Sequence, residues 1–182
     1  MNLSDPWGDQ ELIEGCRAKD RKAQHALFEK YGKLLYHICL QYTGDRDEAK
    51  DVLQDAFIKI FKNIEGFQQK GSFEGWLKRI TTHTAIDHFR KEGKMRMVEG
   101  VDRLEEEYEE EVEEITMTTD AILNLVKRLP EKARIVFNLF VLENMTHKEI
   151  ANTLEISEGT SKSQYNRARG LLQKWINEEQ TR

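Results

Sequence analysis

Apolar side chains recur every three or four positions along most of this chain, and the breaks in that rhythm mark out its elements. Leu12, Ile13 and Cys16 begin one amphipathic helix. After Asp20 a longer stripe runs through Ala23, Leu27, Phe28, Tyr31, Leu34, Leu35, Ile38 and Cys39, until Thr43, Gly44 and Asp45 interrupt it. Asp45 with Glu48 has the form of a capping box. Ala49, Val52, Leu53, Ala56, Phe57, Ile60 and Phe61 make the next stripe, and Glu48, Asp51, Gln54, Asp55 and Lys59 lie on its outer face. A loop, NIEGFQQKGSFEG, then leads to a helix expected over Phe73 to Lys91. Its inner positions are Phe73, Trp76, Leu77, Ile80, Thr84 or Ala85, and His88 or Phe89.

Further on, Met145 to Trp175 reads as helix, tight turn, helix. Thr146 and Glu149 form a capping box, Ile150, Ala151 and Leu154 a buried face, and Ser157 is placed to cap the second helix. In that helix Ser161, Tyr165, Ala168, Leu172 and Trp175 form an inward stripe. The opposite face carries Lys162, Ser163, Asn166, Arg167 and Gly170, and from Thr160 to Trp175 there are four basic residues and no acid. Such a helix suits a DNA major groove, where Arg and Lys meet phosphate or guanine and Asn pairs with adenine. The plainer alternative is a helical hairpin with a solvated basic face.

A chain of 182 residues allows one or two small domains, and 38% hydrophobic with 34% charged residues and two prolines points to an all-α protein with modest cores. The net charge of −5 is unevenly spread. Ten acids and one base, Arg103, lie between Glu99 and Glu114; outside that block 27 basic residues stand against 23 acidic ones. Blocks of like charge repel themselves and resist packing, so this is an expected linker. The resulting division is an N-terminal helical domain over 1–96, an acidic linker over 97–119 and a helix-turn-helix domain over 120–182.

No apolar run approaches the roughly 20 residues of a membrane span, and the start, MNLSDPWGDQELIEG, has acids where a signal peptide has basic and then apolar residues. Cys16 and Cys39 have no metal-ligand or disulfide spacing and read as small apolar groups in a reducing compartment, so a cytoplasmic location is expected. The histidines, His25, His37, His83, His88 and His147, are scattered. No nucleophile, paired carboxylate or ligand cluster asks for catalysis, a metal or a cofactor, and the expectation is binding. From Lys78 to Arg96 six basic residues stand against two acids. A basic helix preceded by Phe67, Gln68, Gln69 and Phe73 suits single-stranded nucleic acid, with aromatic faces for bases and cations for phosphates, although the aromatics also serve a core.

Three segments in order resemble the extracytoplasmic-function (group IV) sigma factors of bacterial RNA polymerase. DEAKDVLQDAFIKIF, from Asp47 to Phe61, is similar to their core-binding helix. FEGWLKRITTHTAIDHFRK, from Phe73 to Lys91, is similar to the segment that handles the minus-10 element. LPEKARIVFNLFVLENMTHKEIANTLEISEGTSKSQYNRAR, from Leu129 to Arg169, is similar to the domain that reads the minus-35 element.

The resemblance implies a region 2 bundle and a region 4 helix-turn-helix, with core RNA polymerase (its β and β′ subunits) and promoter DNA as partners. An anti-sigma factor is a further partner it leaves open, and the free chain is expected to be a monomer. It implies that Asp51, Gln54, Asp55 and Phe57 dock on polymerase. Phe67 and His83 would hold a flipped base, and Arg79, Arg90 and Lys91 would line the melted strand. Thr160, Lys162, Ser163, Asn166 and Arg167 would face the minus-35 groove. Carboxylates such as Glu105, Glu106 and Glu107 could imitate RNA phosphates in the exit channel. The chain departs from the family at His83 (usually Asn), Glu155 (often Gly), Ser161 (usually Val) and Gln164 (commonly Arg). The rival reading is an autonomous helix-turn-helix regulator, dimeric and bound to a palindrome.

Overall fold

The computed structural model describes residues 7–91 and 117–180, and these form eight α-helices, one short 3-10 turn and no strand. Two compact units divide the chain, Met1–His88 and Phe89–Arg182. The acidic block over 99–114, with Glu105, Glu106 and Glu107, lies outside the described residues. The second unit is already structured at the end of the expected linker: Met117 packs on its core, and Thr118 caps the first helix by accepting from the Ala121 N–H.

In the first unit, α1 (Asp9–Arg17), α2 (Arg21–Thr43), α3 (Arg46–Asn63), the 3-10 turn (Ile64–Gly66) and all but the last three residues of α4 (Phe73–Lys91) enclose a core. Leu12, Leu27, Leu35, Val52, Ile60 and Leu77 lie fully inside it. The boundaries follow local chemistry. Asp20 caps α2 through the Lys22 N–H, and Asp45 caps α3 through the N–H groups of Asp47 and Glu48. Those hydrogen bonds hold the Asp45 carboxyl below its ordinary range, so its cap is in force above that range and is lost as pH falls through the lowered value. Gly44 ends α2 at φ 72°, a left-handed residue that glycine adopts without strain.

The α2 stripe is buried at Ala23, Leu27, Tyr31, Leu35 and Cys39 and half-buried at Leu34 and Ile38, whereas Phe28 is 46% exposed. Ala23, Leu27, Tyr31 and Leu35 already fill the line against the core. Phe28 sits at its edge, its ring 5.0 Å from that of Phe57. Cys16 and Cys39 are buried and free, and burial pushes their thiols up to about 11 and about 12, which keeps them protonated and inert. Within α4 the buried hydroxyls of Thr81 and Thr84 donate to the carbonyls of Leu77 and Ile80, which satisfies them inside the bundle.

The second unit contains α5 (Thr119–Arg128), α6 (Glu131–Val141), α7 (His147–Leu154) and α8 (Glu158–Gln180). Leu125, Val126, Leu129 and Ala133 meet Ala168 and Leu172 in its core, flanked by Phe137, Leu171 and Trp175. Arg134 is only 5% exposed and donates to the carbonyls of Lys127 and Leu129, closing the C-terminal end of α5. Gly170, expected on the outer face of α8, is buried instead. Among the described residues no helix is long and apolar enough to cross a membrane.

The turn between α7 and α8 passes through Glu155 at φ 56°, ψ 44°. A residue with a Cβ is strained there, whereas glycine is not. Glu155→Gly is expected to raise the stability of this unit by about 0.5–1 kcal/mol, read as a higher midpoint in thermal unfolding. A lower midpoint would mean that the carboxylate contributes more than the backbone strain costs.

Candidate nucleic-acid interface

Three surfaces carry the residues singled out above. The first is the outer face of α3. Asp51, Gln54 and Asp55 are exposed at helical spacing, and Ile58 continues the same face at 44% exposed. Phe57 does not belong to that face. It is 5% exposed, with its ring between Phe28 and Phe61, because position 57 falls on the core side of the helix. The face thus combines two carboxylates and an amide with an uncovered aliphatic side chain, and Phe28 adds a second apolar group at the α2–α3 edge.

The second surface is a cleft of about 290 Å³ between α3 and α4. Lys59 and Asn63, one turn apart on α3, form one wall. Trp76, Arg79, Ile80, His83 and Thr84, which recur along one face of α4, form the other. His83 and Arg79 are exposed there, and Trp76 is half-buried. Phe67 is not in the lining. It is 5% exposed and packs against Phe73 at 5.4 Å and Trp76 at 5.1 Å, so its faces are covered and it supports the Trp76 indole from behind.

The loop bearing Phe67 is tied to α1. Arg17 Nη2 donates to the Phe67 carbonyl at 2.6 Å and Nε to that of Ile64 at 3.3 Å, while Gln69 Nε2 donates to Gln10 Oε1 at 2.8 Å. Arg90 and Lys91 are exposed at the end of α4.

The third surface is the outer face of α8, where Lys162, Ser163, Asn166 and Arg167 are exposed and Thr160 is half-buried. Ser157 caps the helix by accepting from the Thr160 N–H at 2.9 Å, and its hydroxyl also meets that of Thr160. Gln164 does not face outward with them: it is half-buried, and its Oε1 is enclosed with no hydrogen-bond partner among the described residues.

The basic counts on α4 and α8 need one adjustment of the same kind. Lys78 is paired with Glu74 at 2.6 Å, and Lys162 with Glu158 at 2.9 Å, each acid one turn earlier. Lys59 of the cleft is likewise paired with Asp87 at 2.8 Å. The acids orient these ammonium groups, and exposed pairs of this sort exchange readily for phosphate because each contributes little. Among the described residues no three His, Cys, Asp or Glu side chains gather as a metal site.

The chain matches two family models, Sigma-70 region 2 over residues 27–95 and Sigma-70, region 4 over residues 119–172. It is 29% identical over 155 residues to the ECF RNA polymerase sigma factor SigE of Mycolicibacterium smegmatis, covering 82% of this chain and 60% of that protein's length. It is 28% identical over 183 residues to the ECF RNA polymerase sigma factor SigW of Bacillus subtilis, covering 92% of this chain and 96% of that protein. Among solved structures, the sigma factor RpoE of Bartonella quintana, in complex with the anti-sigma factor NepR, superposes with a TM-score of 0.46 at 19% identity, over 82% of this chain and 94% of that one. With both regions of one family matched in order, together over more than half of its length, the chain belongs to the extracytoplasmic-function sigma factors of the sigma-70 family.

Proposed function

We propose that this chain joins core RNA polymerase through the outer face of α3 and divides promoter recognition between the α4 cleft and α8. Membership of the family makes it a transcription initiation factor, not an enzyme, that directs polymerase to promoters. The observation that carries the residue assignments is the cleft lined by Trp76, Arg79 and His83. It joins a half-buried aromatic ring, a cation and a ring nitrogen in a space that admits one nucleobase. Extruding a base costs a few kcal/mol, and stacking at about 1–3 kcal/mol per base offsets it. In this reading Trp76 is the platform that the sequence assigned to Phe67. His83 addresses the base edge, and Arg79, Arg90 and Lys91 follow the phosphates of the opened strand.

Asp51, Gln54 and Asp55, with Ile58 and Phe28 beside them, form the polymerase contact. Carboxylates give such a contact its orientation and rate, and the uncovered apolar groups give it buried area. Lys162, Ser163, Asn166 and Arg167 read the duplex upstream, with Thr160 at the mouth of the groove. Each contact set is small, so tight promoter binding needs both units held together on polymerase, where the second contact gains from effective concentration. A cytoplasmic, monomeric free chain fits this role. An anti-sigma factor that covers the exposed apolar groups is the proposed regulator.

The test is gel filtration of the full chain with bacterial core RNA polymerase, followed by transcription from a pool of genomic fragments. Co-elution with new transcripts starting at defined sites is the expected result. A free dimer that binds a palindrome and ignores core polymerase would transfer the reading to an autonomous regulator.

A further inference from the structure

We propose that His147 and Ser161 form a polar clasp that sets the angle of α8 on α7, making His147 a positioning residue for recognition of the upstream duplex. The inference rests on the reading that α8 faces promoter DNA. Ser161 is wholly buried on the inner stripe of α8, and its Oγ lies 2.9 Å from Nδ1 of His147, the first residue of α7. The same imidazole stacks on Phe140 of α6, with centroids 4.7 Å apart at 20°, and meets Tyr165 of α8 edge-on at 5.6 Å. Phe140 and Tyr165 touch each other at 4.5 Å. One ring at the start of α7 therefore contacts α6 through a face and α8 through both a hydrogen bond and an edge.

Ser161 is the immediate neighbour of the outer-face residues, so its placement governs theirs. Lys162 and Ser163 come directly after it in the chain, and Asn166 and Arg167 one turn later, all exposed. An apolar side chain at this position makes contacts that tolerate sliding. A hydrogen bond is confined to a narrow range of distance and angle, so it fixes both the roll and the height of the helix. Base-edge contacts are equally directional, and a helix that rolls loses them together.

The charged and titratable groups facing the ring come from two elements. On α8 they are Glu158 and Lys162, with the edge of the Tyr165 ring; on α7 Lys148 acts on Glu158, and Glu149 is engaged with Thr146. From α6 the ring receives the Phe140 face. Burial first, and then the Lys162 ammonium, hold His147 below the ordinary histidine value, with Glu158 opposing. With Nδ1 of the neutral ring accepting the Ser161 O–H, a lowered folded value keeps this clasp complete above pH 6.5 and loses it as pH falls through the lowered value, where Nδ1 becomes a donor.

The experiment uses the full chain in reconstituted holoenzyme, with a promoter fragment recovered from the genomic pool and the same fragment scrambled in the duplex upstream. The ratio of initiation on the two fragments reads the contribution of α8. His147→Phe keeps the stack and removes the nitrogen, Ser161→Val removes the hydroxyl, and His147→Asn keeps a hydrogen-bonding group near Nδ1 that does not titrate. Each of the first two is expected to lower the ratio about ten-fold at about pH 7.5, with initiation on the scrambled fragment unchanged. His147→Asn is expected to stay within about three-fold of the parent, and its ratio to stay flat with pH where the parent's falls as pH drops through the lowered His147 value. Should either of the first two fail to fold, the parent and His147→Asn profiles decide alone. Parent-like ratios in the first two variants, or equal pH profiles for parent and His147→Asn, would overturn the clasp. A parent that treats both fragments alike would overturn the reading of α8, and the clasp's role with it.

Discussion

Arg134→Met is expected to destabilise the second unit by about 3 kcal/mol and to abolish use of the upstream duplex at growth temperature. The guanidinium is 5% exposed and donates at 3.1 Å to the Leu129 carbonyl and at 3.4 Å to that of Lys127. These are helix-end carbonyls with no partner inside α5. Methionine fills most of the same volume but leaves those oxygens without their donor. A hydrogen bond to a charged group contributes roughly 1.5–3 kcal/mol, and an enclosed acceptor left alone costs a similar amount. Urea unfolding followed by circular dichroism measures the loss. A midpoint unchanged from the parent would show that water reaches the end of α5 and that Arg134 is a packing residue only.

The double change Asp51→Lys with Asp55→Lys is expected to weaken binding to core polymerase by about a hundred-fold or more while leaving the fold intact. Both side chains are exposed, so neither change creates a cavity or buries a charge. A docked face whose two carboxylates become ammonium groups meets like charge on the partner, which costs several kcal/mol. Competition against the parent chain for a limiting amount of core polymerase gives the ratio directly. Equal competition would remove α3 from the interface and leave the cleft and α8 unaffected as DNA contacts.

Helix ends and interiors were more legible in the sequence than surfaces. The start of α4, the Thr146–Glu149 capping box and the Ser157 cap could be read because each depends on residues within one turn of one another. The same locality explains the clean stripe of α3. Phe57 and Phe67 were assigned by resemblance to binding faces, yet they sit inside, since a motif gives position along a helix and not depth. Phe28 lies outside because periodicity does not tell where a neighbouring helix ends.

Charge counting failed in one repeated way. Windows that opened at Lys78 and Thr160 omitted Glu74 and Glu158, the two acids that hold the first lysine of each face. Ser161 departs from the family's usual valine, and its hydroxyl meets the side chain of His147, 14 residues away. Arg17 is further still from its acceptors, 47 and 50 residues, and no local pattern announces such a pair.

The position of Arg17 bears on how this protein can be cut into pieces. The match to the Sigma-70 region 2 model opens at residue 27, inside α2. Yet the brace on the Phe67 loop comes from α1, and Lys30 and Tyr31 of α2 are anchored on the Trp7 carbonyl and the Asp9 carboxylate. A fragment trimmed to the recognisable stretch would strip Leu12, Ile13 and Cys16 from the core and release the loop behind Trp76. The edge of the region 2 match and the mechanical boundary therefore fall in different places, and an excised first unit that keeps its cleft has to begin ahead of Trp7.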